Sequence, residues 1–168
     1  MNRLSTFKCL RIFLPLAFVG TCLMADALAA DLKYALEAKP GDLVVDRMPT
    51  TGSNAKEYQQ EFLFKVTNPS RTDFRGKAPS CQTFDVEVFF VGIDRPTSVW
   101  KWSSGREFCQ HVTEVPIDPG KSWTPPEKVV WTFKAVDVKD GKYYAVATFV
   151  PTKNKKAADV NFVITSTH

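Results

Sequence analysis

Histidine is nearly absent from this 168-residue chain: only His111 and His168 occur. Serine and cysteine nucleophiles normally need an imidazole base within reach, so such mechanisms have little to work with here. The sequence also lacks a G-x-S-x-G elbow, an H-E-x-x-H pair and a phosphate-binding loop. Asp85 and Glu87 form a carboxylate pair at strand spacing, which is the ordinary pattern of a solvated face. No catalytic residue and no cofactor is assigned, and the chain is read as non-enzymatic. Charge of one sign is lacking as well. Of 22 basic and 18 acidic residues, three and one lie in the first 29, which leaves 19 and 17 in the remainder. That balance is not the footprint of a nucleic-acid binder. No apolar run long enough to span a membrane follows residue 30. The length leaves no room for two sizeable domains.

What is present begins with an export address. Arg3, Lys8 and Arg11 precede an apolar stretch from Ile12 to about Met24, and Ala27-Leu28-Ala29 has the small-x-small form of a cleavage site. Residues 1–29 are therefore read as a signal peptide, and residues 30–168 as one periplasmic or secreted domain. Cys22 follows Val19-Gly20-Thr21, a poor context for lipid attachment. Removal of the leader takes Cys9 and Cys22 with it. Cys81 and Cys109 remain, in an oxidising compartment where a bond between them is expected. A disulfide between chains or a free thiol are the alternatives. Cys109 and His111, two apart on an expected strand, would point to one side and with Cys81 could hold copper or zinc. A structural zinc normally takes four ligands, so a disulfide beside a surface histidine is preferred and no metal is assigned.

The dominant periodicity after Ala30 is two. Leu32, Tyr34 and Leu36 alternate, as do Phe62, Phe64 and Val66, then Phe84, Val86, Val88 and Phe90. Val129, Trp131 and Phe133 line one face of a later segment, and Tyr143, Ala145, Ala147 and Phe149 another. Alternation of this kind sets one face on a core and the other in water. Turn chemistry separates the segments: Asn68-Pro69-Ser70, Asp94-Arg95-Pro96, Ser103-Ser104-Gly105, Asp118-Pro119-Gly120 and Asp140-Gly141. These features predict an all-β chain, an immunoglobulin-like antiparallel β-sandwich of about seven to nine strands. Gly141-Lys142-Tyr143-Tyr144-Ala145 has the spacing of a tyrosine corner, in which the hydroxyl returns to the backbone. Trp100 and Trp102 share a side, which suits a core better than a stacking platform for sugar or peptide.

Several short pieces then fall in a recognisable order. They are Phe64-Lys65-Val66-Thr67-Asn68-Pro69-Ser70, Ser80-Cys81-Gln82-Thr83-Phe84-Asp85, Val99-Trp100-Lys101-Trp102-Ser103, Phe108-Cys109-Gln110, Pro119-Gly120-Lys121-Ser122, Trp131 and Gly141-Lys142-Tyr143. From about residue 61 to 151 the chain resembles the intracellular proteinase inhibitor family of BsuPI type. The resemblance implies a β-sandwich that binds another protein, with Phe84, Asp85, Trp100, Trp102, Phe108, Trp131 and Tyr143 as motif residues in the core. Two departures stand out: this chain carries an export signal, and Cys81 and Cys109 are additions within motif segments.

An inhibitor needs an exposed, stiff loop. Asp94-Arg95-Pro96-Thr97 is stiffened by proline, and Ser103-Ser104-Gly105-Arg106-Glu107 presents an arginine. Arg95, Pro96, Ser104 and Arg106 are thus the candidate contact residues, with an exported serine proteinase as the candidate partner. Two other functions fit the sequence: an accessory envelope domain that inhibits nothing, and a carrier of a small ligand or metal.

Overall fold

The computed structural model describes residues 31–47, 56–152 and 158–167. Residues 1–30, which include the expected leader, and residues 48–55, 153–157 and 168 lie outside the described residues. Eleven strands follow in order: β1 (Lys33–Lys39), β2 (Leu43–Asp46), β3 (Glu57–Thr67), β4 (Phe74–Ala78), β5 (Phe84–Val91), β6 (Pro96–Lys101), β7 (Thr113–Ile117), β8 (Ser122–Trp123), β9 (Val129–Lys134), β10 (Gly141–Phe149) and β11 (Ala158–Thr167). The helical content among the described residues is one 3-10 turn, Ala135–Asp137.

In one sheet β3 is central, with β1 along one side and β8 and β9 along the other. The facing sheet runs β2-β11-β10-β5-β6, and β4 and β7 form a separate ribbon. All pairings are antiparallel except β2 with β11, which run parallel. That pair modifies the purely antiparallel expectation. The chain passes from β1 in one sheet to β2 in the other across a turn containing a cis Lys39–Pro40 bond, which brings β2 beside β11 in the same direction.

Alternation places the core. Along β3, Tyr58, Gln60, Phe62, Phe64 and Val66 point inward, and across from them stand Phe84, Val86 and Val88 of β5 and Tyr143, Ala145, Ala147 and Phe149 of β10. Alanines at the middle of β10 leave room for rings from the opposite sheet. Phe62 meets Phe162 at 5.9 Å between centroids, and Trp131 meets Tyr143 at 6.0 Å. Burying rings of this size contributes heavily to stability, and truncating one to alanine typically costs about 3–5 kcal/mol.

The structure has two strands more than the upper expectation, and both have weak sequence signals. β8 is only two residues long. β4 carries Gly76 at an inward position because the space is taken: an added Cβ would lie 2.5 Å from the Phe74 ring and 2.6 Å from Pro151. A glycine at the core-facing position removes the apolar alternation from which a strand is read.

Candidate functional site

β6 separates two loops that reach opposite ends of the sandwich. The loop after it, residues 102–107, is tied down from several sides. Trp102 continues the strand pairing with its N–H to Val86 O at 2.8 Å, and its ring is 95% buried, 4.1 Å from the Phe84 ring centroid. Asp85 holds the turn. Its carboxylate accepts from Ser103 Oγ (2.7 Å), Ser103 N–H (3.2 Å), Val86 N–H (2.9 Å) and Gln82 Nε2 (3.2 Å). Lys101, exposed on the other face, lies 3.5 Å from the same carboxylate. Arg106 stacks over the Trp102 ring at 4.2 Å and donates to Glu127 at 3.0 Å.

Asn68 closes the same end. It is fully buried, donates to Thr72 O and Ile117 O at 2.8 Å each, and accepts from Ser70 N–H and Oγ. Gly120, at φ 68°, lets its N–H reach Asn68 O at 2.8 Å. The Asn-Pro-Ser and Pro-Gly pieces of the sequence are thus one assembly that joins β3 to the turn before β8.

Cys81 and Cys109 form a disulfide with their α-carbons 5.3 Å apart. The two segments are also joined by a Cys81 N–H to Cys109 O hydrogen bond of 3.3 Å. His111 is not on a strand: residues 108–112 are an irregular connection before β7, with a bend at Gln110 and His111. Its Nε2 nonetheless lies 3.8 Å from Cys81 Sγ and 3.5 Å from Cys109 Sγ.

The loop before β6 differs in kind. Residues 92–95 span the tip between the paired Val91 and Pro96. The tip is short: Gly92 N–H donates to Phe90 O at 3.2 Å where the chain leaves β5, and Pro96, with φ fixed by its ring, opens β6. Ile93 at its apex is 103% exposed. Arg95 is exposed too, and among the described residues no ion pair or hydrogen bond restrains its side chain. The 3-10 turn between β9 and β10 lies at this end, since Lys139 sits 5.8 Å from the Phe90 ring, and it carries Val136 at 79% exposure. It is fixed by the tyrosine corner. Tyr143 Oη donates to Lys139 O at 2.7 Å and accepts from Lys139 N–H at 3.0 Å. Burial pushes the Tyr143 hydroxyl above its usual pKa, opposed by the hydrogen bond from the Lys139 backbone.

The structure therefore divides the sequence candidates. Arg95 and Pro96 stand before β6 at one end, and Ser104 and Arg106 after it at the other. Arg106 is engaged with Trp102 and Glu127, with 41% of its side chain still exposed. Trp102, Trp131, Phe84 and Tyr143 are buried, while Trp100 and Phe108 are half-buried against the core. Trp100 packs on Phe62 and Trp131, which turns its ring inward. Ile93 did not stand out among the sequence candidates. Its signal was an apolar residue enclosed by Gly92 and Asp94-Arg95-Pro96, where turn chemistry would favour a polar one.

Among solved structures, the chain is similar to an alkylpurine DNA glycosylase, AlkC, of Pseudomonas fluorescens bound to DNA with an abasic-site analogue (8% identity, TM-score 0.42, covering 81% of this chain and 31% of that one). It is also similar to a β-glucosidase of Erythrobacter marinus (12%, 0.40, 79% and 15%) and to β-glucosidase 3B of Thermotoga neapolitana (15%, 0.38, 81% and 16%). The chain spans less than a third of each of these proteins, and their activities do not carry over to it. No curated protein matches. The family model described as intracellular proteinase inhibitor, BsuPI, matches residues 49–154, a longer span than the motif pieces alone cover. The chain belongs to that family, one of proteinase inhibitors rather than enzymes.

Proposed function

We propose that the chain is an exported proteinase inhibitor that presents the β5–β6 tip to its target. The observation that carries this is Ile93, an apolar side chain wholly in water at the apex of a four-residue turn whose two flanks are paired. Isolated exposed apolar residues are common, but this one is also β-branched and held on a closed hairpin. Ordering it in a pocket therefore forfeits little conformational freedom, which is the general route from stiffness to affinity. Ile93 acts as the apolar anchor, and Arg95, two residues on, supplies charge at the rim. Export is supported by the leader-like residues 1–29 and by the disulfide, which belongs to an oxidising compartment.

The test is a titration of the exported chain against serine proteinases of apolar, basic and small-residue specificity. A stoichiometric, saturable loss of activity is expected for a proteinase with an apolar pocket. No inhibition across the panel, together with stable co-purification with an envelope protein, would favour the accessory-domain alternative.

A further inference from the structure

The disulfide has a third neighbour with ligand chemistry. The sulfurs of Cys81 and Cys109 and a ring nitrogen of His111 all lie within 4.8 Å of one another. His111 Nε2 stands 3.5 Å and 3.8 Å from the two sulfurs, so the imidazole lies against the bridge. Cys81 and His111 are exposed and Cys109 half-buried, which leaves the group open to solvent reagents.

We propose that Cys81, Cys109 and His111 form a soft-metal site that the disulfide closes. The oxidised chain takes no ion there, and the reduced chain binds one monovalent copper ion through two thiolates and one imidazole nitrogen. This does not depend on the inhibitor function.

The ligands stay together without the bond because the backbone holds them. Cys81 follows β4 by three residues and Cys109 precedes β7 by four, and β4 and β7 are paired up to Ala78 opposite Thr113. The Cys81 N–H to Cys109 O hydrogen bond extends that pairing to the cysteines themselves. Two sulfurs bound trigonally to one ion, each at about 2.3 Å, stand about 4 Å apart. Side-chain rotation can open that gap between α-carbons 5.3 Å apart. Three ligands, two of them thiolates, suit monovalent copper, whereas a closed zinc site wants a fourth donor.

A dithiol reductant opens the site. One of its thiolates attacks a sulfur of the bridge, and the other cysteine leaves as a thiolate. The second thiol of the reductant then displaces the attacked cysteine and closes its own disulfide. Two electrons have passed to the protein and the reductant is oxidised. Copper(I) binding then releases the thiol protons to water, since the ligand is the thiolate.

The test uses the exported chain, reduced with a water-soluble phosphine (oxidised in turn to its oxide) and desalted without oxygen. It is titrated with copper(I) in competition with a coloured copper(I) chelator, with circular dichroism recorded before and after reduction. One copper per reduced chain is expected, none per oxidised chain, and an unchanged β spectrum. His111→Ala, at an exposed loop position, is expected to keep the fold and lower the copper affinity at least tenfold, about 1.4 kcal/mol. Equal copper uptake by the oxidised and reduced chains would overturn the proposal. So would unfolding on reduction, an unaltered affinity in His111→Ala, or uptake of zinc in preference to copper.

Discussion

The two loops that flank β6 are built in opposite ways. Residues 102–107 are held by the Asp85 carboxylate, by backbone turns from Ser104 N–H to Lys101 O and Arg106 N–H to Ser103 O, and by Arg106 lying between Trp102 and Glu127. Residues 92–95 have little beyond the pairing of Val91 with Pro96 and a single backbone turn, and they put Ile93 in water. A loop whose side chains are already engaged with its own domain adds to stability and offers little to a partner. A short loop closed by its paired flanks keeps its side chains available for one. The contrast separates the residues that maintain this sandwich from those that the proposed function assigns to a target.

Substitutions around the two loops should divide accordingly. The largest effect on stability is expected at the crowded end, from removing the disulfide. Cys81→Ala with Cys109→Ala releases a loop with a sequence separation of 28 residues, and the chain-entropy argument gives about 3.5 kcal/mol. Urea denaturation of the double variant checks this, and the β spectrum should persist. Asp85→Ala comes next, at roughly 2–3 kcal/mol, because it leaves the Ser103 and Val86 N–H groups without their acceptor under a half-buried turn. The same denaturation series measures it.

Tyr143→Phe should cost about 1 kcal/mol by removing both hydrogen bonds of the corner. It carries a pH signature as well. Because the folded Tyr143 hydroxyl titrates above its ordinary value of 10.0, its contribution is fully present below pH 10 and declines as pH rises through the folded pKa. Alkaline unfolding of the wild type should therefore be steeper than that of Tyr143→Phe. The smallest effect on stability belongs to the other loop: Ile93→Ala should change it by less than about 0.5 kcal/mol, since that side chain buries nothing.

Much of this contrast was legible in the sequence. The alternation of Phe84, Val86 and Val88, and of Tyr143, Ala145 and Ala147, marks strands buried on one face, and the structure buries those residues. The Gly-Lys-Tyr spacing gave the corner. The two loops were also visible as turns, but not their difference. Nothing local to Arg106 says that its guanidinium will lie on Trp102 and meet Glu127, which is 21 residues away. The assignment of Cys109 and His111 to one strand failed for a related reason. The connection before β7 bends at Gln110 and His111, so strand alternation does not set these side chains, and Cys109 is tied to Cys81 across 28 residues by the disulfide and a backbone hydrogen bond. Ile93 was hidden because apolar residues are normally read as core.

The most direct test places one charge in each loop and asks which abolishes inhibition. Ile93→Asp and Ser104→Asp would be compared with the unaltered chain in one titration against a proteinase that the panel proposed above identifies as a target. Loss of a central anchor typically costs several kcal/mol of binding, so Ile93→Asp should weaken inhibition by about 100-fold or more. Ser104→Asp should leave it within about threefold. Equal weakening by both, or loss confined to Ser104→Asp, would contradict the assignment of the β5–β6 tip as the surface that meets the target.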